Sequence, residues 1–284
     1  MNLNKRIICA IAVFAVDIVA IVSFAAQGVA PPPLAQTPPT QAGKALTIPS
    51  GFKKISFGPG MEVYQKNYSY KSPDFVTIVN LEQATMISMC NSLLPRYPLL
   101  DFWNGALGSN TASRKLKVVV NGTYFQNGFP ISTELTLGLK RQGKVISLGV
   151  PSKIKPDVAT FSFNQTSAAI EPYSKSTFND PKQPDVIGVY DGTRKIVPTV
   201  RDGRTWIGLR DKVSPGRYKT LLIFTSIDST WDEADKGIKA FSPDKIAQLD
   251  GGWSTSLIVD GVKKIRGGSL DRWIPHALAI YFGK

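Results

Sequence analysis

The chain is poor in the residues on which many enzyme sites are built. It has one histidine and two cysteines in 284 residues. A single histidine excludes a zinc site made of several imidazoles. A Ser-His-Asp triad would have to use His276, which precedes the apolar stretch "ALAIY" and has no nucleophile motif beside it. His276 therefore reads as structural. Cys9 lies in an N-terminal apolar run, too early in it for a lipoprotein site, so Cys90 is left alone once a leader is removed. That mature chain can form no intramolecular disulfide and must be held by its core. P-loop, G-x-S-x-G and dinucleotide fingerprints are absent, and no internal repeat is evident.

Acidic residues are the scarcer charge, 21 against 34 Lys+Arg, which gives a formal net charge of +13. Such a surface attracts polyanions: nucleic acid, anionic lipid, acidic glycans or phosphorylated sugars. No four basic residues adjoin, so a nucleic-acid arm is not expected. What is present is a globular composition, 43% hydrophobic, with 24 glycines and 20 prolines to break the chain into many short strands.

Lys5 and Arg6 precede an apolar run from Ile7 to Ala26, interrupted by Asp17 and Ser23. With small residues at Ser23 and Ala25, residues 1–26 read as a secretory signal. The run is also long enough to anchor the chain in a bilayer. Asp17 would be costly in a permanent span, which favours cleavage. Either way the protein is expected to be exported, periplasmic or extracellular. Residues 27–50, rich in Pro, Ala and Gln, read as an extended linker. Residues 51–284 read as a single sheet-rich α+β domain with few helices. Sequons at Asn67, Asn121 and Asn164 matter only if the source glycosylates its secreted proteins.

Strands are expected at Ala159–Phe163, Asp185–Tyr190, Arg204–Leu209, Tyr218–Ser226, Leu257–Val259 and Ala277–Phe282. "ELTLGLKRQGKVISLGV" reads as a hairpin turning at Arg141 to Gly143. "NLEQATMISMCNSLL" fits strand or helix. "STWDEADKGIKAF" reads as a helix opened by a capping box of Ser229 and Asp232.

Three segments place polar residues directly beside apolar strands. "NGTYF" (Asn121 to Phe125) follows "KLKVVV", and its Asn-Gly is first of all a hairpin signal. "DGRTWIG" (Asp202 to Gly208) opens on Asp-Gly, and its Arg204 is either a surface cation or a fork for phosphate. "DGGWST" (Asp250 to Thr255) is either a turn or a loop whose glycines let a ligand approach the backbone.

Taken in this order, and with "DRWIPHAL" (Asp271 to Leu278) as a fourth, these segments resemble the phosphodiester glycosidase family. That family includes the domain of the lysosomal uncovering enzyme and many bacterial exported proteins. Its pattern is N-G-G-F-F, R-T-x-x-G, N-L-D-G-G-G-S-T and a late arginine, and the match runs from about Val118 to Tyr281. The resemblance implies hydrolysis of a sugar-1-phosphodiester in an anionic glycan. Arg204, with Arg272, would hold the phosphate. Asp250 would stabilise the oxocarbenium-like state by charge, as nucleophile or as base. Asn121 would orient substrate, and Thr205, Gly251, Gly252, Ser254 and Thr255 would contact phosphate or sugar oxygens. A second carboxylate is left open among Glu134, Asp228 and Asp260. No cofactor is implied, although a divalent cation near Asp250 is left open. The chain departs from the pattern at Trp253, at Gly203 in place of proline, and at Thr123-Tyr124. Trp253 can stack on a sugar face or fill the pocket. The rival reading is a non-catalytic glycan-binding or envelope-associated protein, and the apolar N-terminal segment would give either one a membrane attachment.

Overall fold

The computed structural model describes residues 45–90, 96–126, 134–194, 199–266 and 272–284. The signal and most of the linker lie outside them. In chain order the first elements are β1 (Phe52–Gly58), β2 (Met61–Lys66), β3 (Asp74–Asn80), β4 (Ala84–Met89), α1 (Leu99–Leu107) and β5 (Lys115–Asn121). Next come β6 (Leu137–Arg141), β7 (Lys144–Gly149), β8 (Val158–Phe163), β9 (Ala168–Pro172), α2 (Lys175–Asn179) and β10 (Asp185–Asp191). The remainder is β11 (Asp202–Ser214), β12 (Arg217–Ser229), α3 (Trp231–Lys239), β13 (Lys245–Gln248), β14 (Leu257–Val259), β15 (Val262–Ile265) and β16 (Ala277–Phe282).

These strands make two antiparallel sheets. The larger runs β1-β2-β3-β12-β11-β13-β10-β6-β7, with β8 on β10 and β9 joining β8 to β12. The smaller runs β15-β14-β5-β16-β4. One core lies where β5 and β16 of the small sheet meet Ile207, Leu221 and Ile223 of the large one. The opposite faces of the same strands, Trp206, Leu222 and Phe224, pack on Trp231, Ala234 and Ile238 of α3. Alternate side chains of a strand point to opposite faces, so strands buried on both sides need unbroken apolar runs such as "TLLIFTS". Helix α1 presents Leu99, Phe102, Trp103 and Ala106 to the first core, a 3.6-residue stripe. Leu46 and Ile48, inside the stretch read as linker, already pack on the α3 core.

The hairpin at Arg141 to Gly143 forms as expected, with Gln142 (φ 48°) and Gly143 (φ 81°) giving the positive pair a two-residue turn needs. Asp260 (φ 51°) and Gly261 (φ 77°) do the same between β14 and β15. The stretch that fitted strand or helix is resolved as strand over Ala84–Met89, which forms β4. Two expectations change. The capping box of α3 is Thr230 with Glu233, one residue beyond Ser229 and Asp232. Ser229 instead ends β12, its hydroxyl bonded to Ser226 Oγ at 2.7 Å. Finally, neither Asn121-Gly122 nor Asp202-Gly203 is a hairpin turn. Asn121 ends β5 opposite Ala277, and Gly203 lies at a bulge in β11.

Candidate active site

The segment from Gln248 to Ser256 carries the chain from one sheet to the other. Leu249 N still donates to Thr205 O of β11 (2.9 Å), and Asp250 N donates to Gly122 O beyond β5 (3.0 Å). At Leu257 the chain pairs with Val120 in the small sheet. Asp250 therefore sits at the crossing. Asn121 ties the crossing together: its Nδ2 donates to Asp250 O (2.6 Å), and its Oδ1 accepts from Thr205 Oγ1 (2.8 Å) and Ser256 N (3.2 Å).

Two glycines are needed here for lack of a side chain. A Cβ on Gly203 would fall 2.2 Å from Gly252 O and 2.6 Å from Thr255 Oγ1. One on Gly122 would fall 1.8 Å from His276 Nδ1. That imidazole is fully bonded, since Nδ1 accepts from Thr123 N (3.0 Å), so Nε2 carries the proton and donates to Ser88 Oγ (2.9 Å). Burial, and then the charge of Arg141, lower its pKa to about 3. His276 is structural, as the sequence indicated, and it supports the segment that carries Tyr124.

The crossing opens into a pocket of about 220 Å³ lined by Tyr124, Arg204, Thr205, Gln248, Asp250, Gly251 and Gly252, among others. Arg204 and Asp250, far apart in sequence, thus meet in one pocket, while Asn121 does not line it and lies behind the loop, bonded to Asp250 O and Thr205 Oγ1. Burial raises the Asp250 pKa to about 7, against the opposing pull of Ser254, Arg272 and the Gly251 amide. Gly251 N donates to Asp250 Oδ1 at 3.0 Å. Arg204 is half-buried, its Nε on Ser229 O (3.3 Å) and its Nη2 on Val200 O (3.0 Å), which holds the guanidinium at the pocket wall. Arg272 lies over the Phe125 ring at 4.9 Å, with Arg96 over the same ring at 4.6 Å.

The other sequence candidates divide. The Asn121 carbonyl and the Thr205 hydroxyl are committed to protein partners, so both residues position the loop rather than reach for substrate. Asn121 is also 1% exposed, which removes it as a glycosylation site in the folded chain. Ser254 Oγ and Thr255 Oγ1 are buried with no hydrogen-bond partner, although Ser254 is close enough to favour the ionised form of Asp250. Trp253 is 71% exposed and so does not fill the pocket. None of the three carboxylates proposed as assistants lines it. Asp228 pairs with Arg201, Asp260 with Lys117, and Glu134 accepts from Gln126. The carboxylate beside the loop is instead Asp202, whose Oδ1 accepts from Gly203 N (2.8 Å). No three His, Cys, Asp or Glu side chains converge as metal ligands among the described residues.

Sequence reasoning missed an aromatic and cationic stack behind the pocket, which reaches the lining through Tyr124. Tyr124 meets Tyr190 edge to face, ring centroids 4.7 Å apart, and the Arg194 guanidinium lies 3.4 Å over Tyr190. Burial holds the Tyr124 phenol well above its ordinary pKa; Asp250 pushes it further up, and Arg194 and Arg204 pull it down. Only the place of Tyr124 in "NGTYF" pointed to it.

No family model and no curated protein sequence matches the chain. Solved structures do. The catalytic domain of zebrafish N-acetylglucosamine-1-phosphodiester alpha-N-acetylglucosaminidase, auto-inhibited by its pro-peptide, superposes with a TM-score of 0.55 at 15% identity. The match covers 79% of this chain and 84% of that one. The likeness shows the fold. A hypothetical protein from Synechocystis matches with a TM-score of 0.54 at 10% identity, over 83% of this chain and 69% of its own. The two-sheet arrangement is therefore similar in fold to the zebrafish catalytic domain.

Proposed function

We propose that the chain is an exported hydrolase that cleaves a sugar-1-phosphodiester in an envelope or extracellular glycan. The observation that carries this reading is Asp250, a carboxyl whose pKa is raised to about 7, sharing one pocket with the anchored guanidinium of Arg204. A phosphodiester brings one negative charge, which Arg204 neutralises from the pocket wall, with Arg272 adding positive potential on the Asp250 side. The ionised Asp250 takes a proton from water as the water oxygen bonds to the anomeric carbon. The bond from that carbon to the bridging oxygen breaks, and its electron pair leaves with the phosphate. The products are the free sugar and a phosphomonoester, and Asp250 returns its proton to solvent. Phosphate leaves well, so a strong general acid is not required. The basic net charge of +13 suits an anionic polymer, and the N-terminal apolar segment would direct export or hold the protein at a membrane.

The test is sugar release from a panel of hexose and N-acetylhexosamine 1-phosphodiesters. Asp250→Ala is expected to lower kcat by about 10²–10⁴-fold. Wild-type turnover no greater than that of the variant removes the enzyme reading. Trp253, exposed beside the loop, favours one alternative, a glycan-binding protein that uses the indole as a stacking surface. Retained glycan affinity without turnover, lost in Trp253→Ala, would establish it.

A further inference from the structure

The residue for which the site has no role yet is Tyr124. It lines the Asp250 pocket, and its hydroxyl makes no hydrogen bond among the described residues. A half-buried phenol normally finds a partner, and this residue lines the space a ligand would fill. The ring is held at one edge by Tyr190, itself capped by Arg194. Tyr124, Asp250 and Arg204 line one pocket. In a sugar-1-phosphodiester the anomeric carbon belongs beside the carboxylate and the phosphate beside the guanidinium. The atom between them is the bridging oxygen.

Resting on the proposed hydrolysis, we infer that Tyr124 is a further catalytic residue, which donates a hydrogen bond to the bridging oxygen of the scissile bond. As the bond from the anomeric carbon breaks, the electron pair collects on that oxygen, and a donor aimed there stabilises the transition state more than the bound substrate. Tyr124 keeps its proton throughout; the phosphomonoester departs as an anion, and the proton from the attacking water goes to Asp250. The family pattern that the chain resembles has Phe where this chain has Tyr124, so the hydroxyl is a property of this sequence.

Tyr124→Phe keeps the ring and its packing on Tyr190. On the methyl diester of the best sugar, kcat is expected to fall about 100-fold with KM changed less than about two-fold and the melting temperature unchanged. The second readout is affinity for the matching methylene phosphonate, in which carbon replaces the bridging oxygen. That ligand has nothing for Tyr124 to donate to, so wild type and variant are expected to bind it equally. Wild-type kcat in the variant overturns the inference while leaving the hydrolase reading intact. So does a loss of phosphonate affinity as large as the loss of kcat, because the hydroxyl then serves another atom. No wild-type turnover on any diester overturns both.

Discussion

Asp250 shows how one side chain can be legible by type and illegible by state. Its charge and its glycine neighbours made it the residue to suspect, but its proton affinity depends on burial at the crossing between two sheets. As a base Asp250 must be ionised, so kcat/KM is expected to rise with pH through an apparent pKa near 7 and level off above it. A profile flat from about pH 5.5 to 8.5 would remove the proton-transfer role. The neighbours were read less well. Asn121 and Thr205 looked like substrate ligands because amides and hydroxyls do that work, yet both bond to the protein. Tyr124 was marked only by its place in "NGTYF", and Tyr190 carried no signal because Tyr is an ordinary strand residue. Only the packing of Tyr190 behind Tyr124, which lines the pocket, gives them meaning.

At the scale of elements, most strands were legible because one or both faces had to be apolar. The Asx-Gly pairs were where pattern misled. Asp260-Gly261 takes the positive φ of a hairpin turn, but Gly122 and Gly203 lie outside that region. They are glycines because a neighbour occupies the place of a Cβ, and no local pattern records a neighbour far along the chain. Gly122→Ala must displace the His276 ring, so a loss of about 3 kcal/mol is expected, or roughly 6–12 °C in melting temperature. Gly143 is the control. It has a positive φ of 81° but nothing within 4 Å of an added Cβ, so Gly143→Ala is expected to cost only about 1 kcal/mol of backbone strain. Equal losses in the two variants would show that the His276 contact is soft.

For the whole molecule, the α+β, sheet-rich fold was legible from composition and strand spacing, while the pairing order of β12 between β3 and β11 was not, since register is a long-range property. One structural feature, the single imidazole locked with Nδ1 as acceptor, bears on the pH response of the entire fold. Its pKa near 3 means the unfolded chain binds a proton there that the folded chain refuses, so His276 costs stability as pH falls from about 6.5. Asp250 acts with the opposite sign. Its pKa near 7 means the folded chain holds a proton that the unfolded chain has released, so it contributes stability below about pH 4 that is lost as pH rises to 7. Across mildly acidic pH the two proton balances offset, and the melting temperature of the wild type is expected to change little through them. Asp250→Asn removes one side of that balance. The variant is expected to melt above the wild type at pH 8 and to lose that advantage steadily on acidification from pH 6.5 to 5, whereas parallel melting profiles would contradict it. The Asp250 carboxyl and the buried histidine then act as a counterpoise, each concealing the acid response of the other.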